Sequence, residues 1–420
     1  MRRLLNVLLI LIFCQPLSRA QNLKPNAKIL AGAERMPVYL PLLKGKSVAV
    51  FANQTSMVSQ THLVDTLIAS GIKVVKIFAP EHGFRGVADA GEHVNSSVDS
   101  ATGIPIISLY GSHRKPTAAD LDSVDVVVFD IQDVGLRFYT YISSLQELME
   151  TTLENDKPLL ILDRPNPNGF YVDGPVLETG FRSFVGMQKI PVVYGMTIGE
   201  YGRMIAGEKW LTDSANKKMV YNLKHKPTAD TPFHLLVIKC GNYTHNSYYE
   251  LPVKPSPNLP DMQSVLLYPS LCFFEGTEIS VGRGTDKPFK IFGHPSFPDS
   301  LYAFTPVSTE GAKNPPLKDK QCYGYNLSDS VIDITKKQNQ QLNLSYLLKA
   351  YKMFPNKDSF FIRPKKSNPQ PGDYFFNKLS GNYTLMWQIM NSKSEAEIRK
   401  SWATGIAAFK KIRAKYLMYE

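Results

Sequence analysis

The sequence predicts an α/β protein: a parallel sheet covered by helices on both faces, followed by a smaller C-terminal α+β domain. Three observations predict it. Short β-branched runs alternate with helical stretches between residues 46 and 163; those runs are apolar almost throughout; and each ends in a cluster of polar or ionisable residues. A strand buried on one face alternates apolar with polar residues, whereas near-continuous Val, Ile, Leu and Phe mark a strand buried on both.

Taken in order, residues 47–53 read as the first strand and 63–70 as a helix stopped by Gly71. Residues 73–78 and 104–109 are the next two strands, and 124–131 is the most apolar of all. A helix over 145–154 and a strand over 158–162 follow, then a helix at 198–206 and a late strand at 235–239. Beyond residue 250, Pro252, Pro255, Pro257, Pro260 and Pro269 predict a loop-rich stretch, because each proline lacks a backbone donor. A second proline patch surrounds Asn314-Pro315-Pro316, and helical pattern resumes at 344–351 and 395–416. The expected division is a main domain over residues 28–299 and a smaller one over 300–420.

The chain has 420 residues, 43% hydrophobic and 20% charged, with 22 Phe and 21 Tyr, which excludes a mostly disordered protein. Its net charge of +11 favours acidic partners, but no Lys/Arg block stands out, so nucleic acid is not the expected partner. Arg2-Arg3, the apolar stretch over residues 4–13 and the small-x-small ending Ser18-Arg19-Ala20 read as an export signal over residues 1–20. Export to a periplasm, or secretion, is therefore expected, and no later segment is apolar enough to span a membrane. Past that signal stand Cys240, Cys272 and Cys322, too far apart for a disulfide framework or a closely spaced zinc site. Stability must come from core packing.

In a parallel α/β sheet, ligands bind beyond the carboxyl ends of the strands. There the chain places Asn53-Gln54-Thr55, then Pro80-Glu81-His82-Gly83-Phe84-Arg85-Gly86, then Tyr110-Gly111-Ser112-His113. The fourth and fifth strands end in Asp130-Ile131-Gln132-Asp133 running on to Gly135, Arg137, Tyr139 and Tyr141, and in Asp163-Arg164-Pro165-Asn166-Pro167. Carboxylates, guanidinium groups and aromatic rings gathered at one sheet edge suit a sugar: the first for proton transfer, the second for hydroxyls, the third for stacking. Asp130 and Asp163 have a structural alternative, capping the next helix or pairing with Arg137 and Arg164. Tyr139 and Tyr141 have another, in the core. Glu275-Gly276-Thr277-Glu278 and Gly282-Arg283-Gly284-Thr285 form a second polar, Gly-rich concentration. That loop lacks the Gly-Lys-Ser/Thr ending of a phosphate loop, and no G-x-G-x-x-G follows the first strand. Neither an NTPase nor a dinucleotide enzyme is expected, and no cofactor is called for.

These loops, in this order, resemble those of the YbbC/NamZ-type exo-β-N-acetylmuramidases, exported glycoside hydrolases of peptidoglycan recycling. The carrying segments include Ala79 to Gly86, Asp130 to Tyr141, Asp163 to Pro167, Pro255-Ser256-Pro257-Asn258, Phe274 to Thr277 and Val281 to Thr285. The resemblance implies a Rossmann-like catalytic domain, a cleft shared with the smaller domain, and release of terminal β-1,4-linked N-acetylmuramic acid from the non-reducing end of peptidoglycan fragments. Glu81 falls on the family's proposed catalytic glutamate, the general acid. Glycosidic cleavage normally needs a second carboxylate, for which Asp133 and Glu275 are the candidates. Assistance by the substrate's own N-acetyl group is the alternative. Muramyl saccharides carry a lactyl carboxylate, so Arg85, Arg137, Arg164 and Arg283 are candidate partners for it. Asn53, His82, Asp130, Gln132, Tyr139 and Asn166 complete the expected substrate contacts. Two other readings stay open at this stage. His82, His113, Asp130 and Asp133 could hold a divalent ion in an envelope amidase or deacetylase, or the loops could bind glycan without turnover.

Overall fold

The computed structural model describes residues 27–81, 83–84, 96–224 and 233–420. The expected signal segment, His82 and Arg85 lie outside those residues. The strands are β1 (Ser47–Ala52), β2 (Met57–Val58), β3 (Thr61–His62), β4 (Lys73–Ala79), β5 (Ser97–Val98), β6 (Pro105–Ser108), β7 (Val126–Asp130), β8 (Leu159–Leu162), β9 (Leu235–Ile238), β10 (Ile291–His294), β11 (Tyr302–Phe304) and β12 (Cys322–Asn326). Seven of them form the main sheet in the order β5-β6-β4-β1-β7-β8-β9, parallel except for the short edge strand β5. Without β5, this is the doubly wound order in which the chain starts at the centre, winds outward one way and then the other. The direction reverses between β1 and β7, leaving a crevice beyond their carboxyl ends. The position of the site follows from that reversal.

The apolar strands are buried on both faces, as their composition predicts. Ala49 and Phe51 of β1 join one core, while Val48, Val50 and Ala52 join another on the opposite face. Phe51 pairs in register with Phe129 of β7, their rings stacked with centroids 5.1 Å apart. Helices α1 (Met36–Leu43), α2 (Leu63–Ala69), α3 (Tyr141–Glu154), α4 (Ile198–Gly207) and α5 (Asp213–Lys224) accompany the sheet. Asp163 makes the local connection from β8 to α4: its carboxylate accepts from Gly199 N at 2.8 Å and Thr197 Oγ1 at 2.7 Å, at the start of that helix. Burial raises the Asp163 pKa to about 6 against the pull of those donors and of the Tyr419 hydroxyl. No helix among the described residues is long and apolar enough to cross a membrane.

The loop expected from the prolines after residue 250 instead contains a buried helix, α6 (Met262–Leu271). Asp261 caps it by accepting from Ser264 N at 2.9 Å. Pro269 sits in its last turns and has no N–H for the Val265 carbonyl. Asn168 Nδ2 approaches that carbonyl at 3.4 Å, so a side chain from the main sheet's loops replaces the missing helix bond. The helix is hidden from local pattern because an internal proline counts against it, while the partner of the freed carbonyl comes from a distant loop. The remaining helices are α7 (Val331–Gln338), α8 (Ser345–Met353), α9 (Phe375–Ser380), α10 (Thr384–Met390) and α11 (Glu395–Arg413), and β10, β12 and β11 form a small antiparallel sheet. The larger core runs without a break from Phe129 through Phe273 and Phe292 to Phe376 and Trp402. Cys240, Cys272 and Cys322 are free and buried.

Candidate active site

The polar strand ends divide into a buried frame and an open cleft. The frame begins at the reversal point. Asn53 Nδ2 donates to the Tyr141 hydroxyl at 2.9 Å, and its Oδ1 accepts from the Thr55 amide and hydroxyl. Gln132 spans to the next loop, donating to the carbonyls of Asp133 at 2.8 Å and Pro165 at 2.7 Å. Arg164 grips both Asp130 oxygens, at 2.6 and 2.8 Å, and reaches Met57 O at 3.0 Å. Removing one member of such a buried pair typically costs about 3–5 kcal/mol, because the other charge is left without its partner. Asn166 donates to Met196 O and accepts from Asn168 N. It is held against Gly135, whose φ of +79° and closeness to the Asn166 amide leave no room for a Cβ.

These contacts correct several expected roles. Asn53, Asp130, Gln132, Arg164 and Asn166 are buried and direct most of their polar atoms to neighbouring side chains and backbone, so they position loops and do not line the cleft. The structural alternative for Asp130, pairing with Arg164, is the one observed. Arg137 is farther still from a substrate role. It is fully buried and donates to the carbonyls of Pro175, Ile190 and Leu379 at 2.7–2.8 Å, tying the main sheet's loops to the end of α9. Burial lowers its pKa.

Asp133 also lies behind the wall. Its Oδ2 accepts from Gly135 N at 2.6 Å and from the Tyr194 hydroxyl at 2.5 Å, while its Oδ1 is buried without a partner among the described residues. Burial pushes its pKa up to about 7, only partly offset by those donors. Among the described residues no group of three His, Cys, Asp or Glu side chains could hold a metal ion. His113 pairs with Asp120 at 3.2 Å.

The cleft, about 460 Å³, opens where this frame meets the C-terminal region. From the expected set, Glu81, Tyr139, Glu275 and Arg283 line it. Glu81 follows β4 and is half-buried. Its Oε1 accepts from the Tyr110 hydroxyl at 2.9 Å and its Oε2 from Thr140 Oγ1 at 3.3 Å, so donors from two other strand-end loops set its direction. Tyr139 donates to Pro255 O at 2.8 Å and meets Tyr141 edge-on, 4.9 Å between centroids. Burial raises both tyrosines well above the usual phenol range, so both keep their protons at neutral pH.

Glu275 and Arg283 come from the other side of the cleft. Glu275 lies on a short 3-10 helix, Cys272–Gly276, set against α9 so closely that a Cβ on Gly276 would stand 2.5 Å from the Phe376 Cα. Arg283 Nε and Nη2 each lie 2.7 Å from Glu275 Oε1, and the guanidinium sits 5.0 Å from the Phe289 ring centroid. Burial alone would lower the Arg283 pKa; the Glu275 carboxylate reverses this and raises it. Tyr110, Thr140, Arg114, Asn258, Tyr268 and Phe375 also line the cleft. Tyr110, Thr140 and Asn258 stood in segments the sequence singled out, without a signal to separate them from their neighbours. Tyr268 lay on the helix the prolines concealed.

A doubly wound sheet with carboxylates, phenols and a paired guanidinium around an aromatic-walled cleft makes a site suited to binding a sugar and moving a proton on it. Comparison with known proteins narrows this to a family. The family descriptions "Exo-beta-N-acetylmuramidase NamZ, N-terminal" and "Exo-beta-N-acetylmuramidase NamZ, C-terminal" match residues 48–263 and 266–419. The chain belongs to the exo-β-N-acetylmuramidase NamZ family. It is 35% identical to the peptidoglycan β-N-acetylmuramidase NamZ of Bacillus subtilis (strain 168) over 423 residues, covering 96% of this chain and 94% of that one. Two crystal structures of DUF1343 family proteins from Bacteroides fragilis NCTC 9343 share the fold. One is 44% identical with a TM-score of 0.80, covering 94% of this chain and 99% of that one. The other is 26% identical with a TM-score of 0.70, covering 94% and 100%.

Proposed function

We propose that this protein releases terminal β-1,4-linked N-acetylmuramic acid from the non-reducing end of peptidoglycan fragments, with Glu81 as the general acid. The observation that carries the assignment is the placement of Glu81: half-buried in the cleft wall, aimed by Tyr110 and Thr140, on the same cavity as Glu275. Glu81 hands its proton to the glycosidic oxygen as the bond to the anomeric carbon lengthens, and the leaving saccharide departs neutral. Positive charge develops on the sugar ring as that bond breaks, and a water molecule then bonds to the anomeric carbon and gives its proton to a carboxylate, which completes the hydrolysis. Glu275 is the second carboxylate, since it reaches the cleft while Asp133 is turned into the frame. Arg283 holds Glu275 by a single oxygen, leaving Oε2, which the Cys272 thiol approaches at 3.6 Å, for the reaction. The guanidinium groups of Arg283 and Arg114 on the cleft wall suit the lactyl carboxylate, the feature that separates muramic acid from glucosamine. The export signal expected at the N-terminus fits an enzyme whose substrate lies outside the cytoplasm.

Glu81→Gln keeps the shape of the side chain and removes the transferable proton. Release of N-acetylmuramic acid from saccharide fragments should fall by at least about a thousandfold, with KM little changed. Near-normal turnover in that variant would remove Glu81 from the role. If wild-type protein handles N-acetylglucosaminides and N-acetylmuramides equally, the carboxylate pocket is refuted.

A further inference from the structure

A second cavity, about 400 Å³, adjoins the cleft, and the two share Arg114 and Phe184 in their walls. The Arg114 guanidinium lies 4.6 Å from the Phe184 ring centroid, so the pair forms a ridge between the cavities. The floor of the second cavity is a chain of amides. Gln188 Nε2 donates to Trp210 O and to Gln146 Oε1, both at 2.8 Å, and Gln146 Nε2 donates to Glu150 Oε1 at 3.0 Å. Each donor nitrogen in that chain has a partner, but not every acceptor does. Gln188, only 2% exposed, keeps Oε1 without a partner among the described residues, and so does Glu147 Oε2. Both residues line the cavity. Burying an acceptor unpaired costs free energy, so two of them just behind the wall of one cavity favour a ligand whose donors meet them after a small side-chain shift. Glu147 is also held above the ordinary carboxylate range by burial, with Glu150 adding to the effect and Arg114 opposing it.

We infer that this cavity binds the saccharide on the leaving-group side of the scissile bond, one or more sugar units beyond the terminal N-acetylmuramic acid. A glycan supplies what the cavity lacks: hydroxyl and acetamido N–H donors for Gln188 Oε1 and Glu147 Oε2, and ring faces for Trp210, which also lines it. Arg182 at the edge provides a cation for the lactyl group of a further muramic unit. The continuity across the Arg114–Phe184 ridge gives the chain an exit from the cleft. The inference rests on the reading of the cleft as the place of terminal cleavage, and it makes the enzyme one that holds a chain by two sites and cuts at its end.

The test compares a chromogenic N-acetylmuramide, whose leaving group ends at the cleft, with muramyl di-, tetra- and hexasaccharides, each with and without stem peptides. In wild-type protein kcat/KM should rise about fivefold or more from disaccharide to tetrasaccharide. Gln188→Leu and the milder, isosteric Glu147→Gln should each remove about three- to tenfold of that gain and leave chromogenic turnover within about twofold. Absence of any length dependence in wild type overturns the inference, as does an equal loss on short and long substrates. A preference that follows stem-peptide substitution instead of saccharide length overturns it in favour of a peptide groove. Intact chromogenic substrate after incubation with wild-type protein refutes the hydrolase reading itself, an outcome distinct from the other three.

Discussion

Replacing Asp133 with Asn should make the protein more stable at neutral and alkaline pH, and by an amount that depends on pH. The Asp133 carboxyl is buried and, among the described residues, takes two hydrogen bonds on Oδ2 and none on Oδ1. Burial moves its pKa from 3.8 to about 7. A carboxyl whose folded pKa lies above its unfolded one binds more protons in the folded state. Folding therefore draws on that proton below about pH 4 and loses the benefit as pH climbs through the folded value. The gap from 3.8 to about 7, at about 1.4 kcal/mol per pH unit, sets an upper limit of about 4 kcal/mol. Asn resembles the protonated acid: it is neutral at every pH, and its Oδ1 can accept from Gly135 N and the Tyr194 hydroxyl alike. The difference in unfolding free energy, D133N minus wild type, should grow between pH 4 and 7 and level off above it. Urea unfolding across pH 4–9 measures this. A difference flat with pH would refute the reasoning, because the buried carboxyl would then ionise alike in both states. Turnover adds a second reading. With Glu275 as the second carboxylate, the variant should keep its rate within about tenfold; a loss of several orders with the fold intact would make Asp133 that group instead.

Other expectations follow from the same contacts. Arg283→Ala strips Glu275 of its charged partner, which should lower kcat/KM by about 10- to 100-fold, the worth of a charge-assisted hydrogen bond. Turnover unaltered by this change would show that Glu275 does not depend on the pair. Gly135→Ala puts a Cβ 2.2 Å from Asn166 Oδ1 at a φ of +79°, so it should cost about 2–4 kcal/mol and lower the melting temperature in calorimetry. An unchanged melting temperature would mean that the Asn166 loop yields freely.

The strands, their burial on both faces and the sheet edge that carries the chemistry were legible from local pattern. A run such as Val126–Asp130 is apolar at every position save the last, whatever surrounds it. Glu81 could be singled out for the same kind of reason: it stands beside a proline just past a strand, among glycines. The partition of polar residues into frame and cleft could not be read in this way. Asp130 and Glu81 look alike in one dimension, each a carboxylate following an apolar run. Their fates differ because Arg164 comes from another strand and closes on Asp130, while the cleft opens beside Glu81. Arg137 looked like a carboxylate binder and became a tie between carbonyls, one of them on Leu379, 242 residues away. Helix α6 was concealed for a related reason, since Pro269 breaks a helix judged by itself and Asn168 mends it only in three dimensions. The sequence by itself determined which segments must be buried, because burial follows from side-chain hydrophobicity and spacing. Only the tertiary structure decided which charges neutralise one another and which face solvent, because that depends on partners brought together from distant parts of the chain.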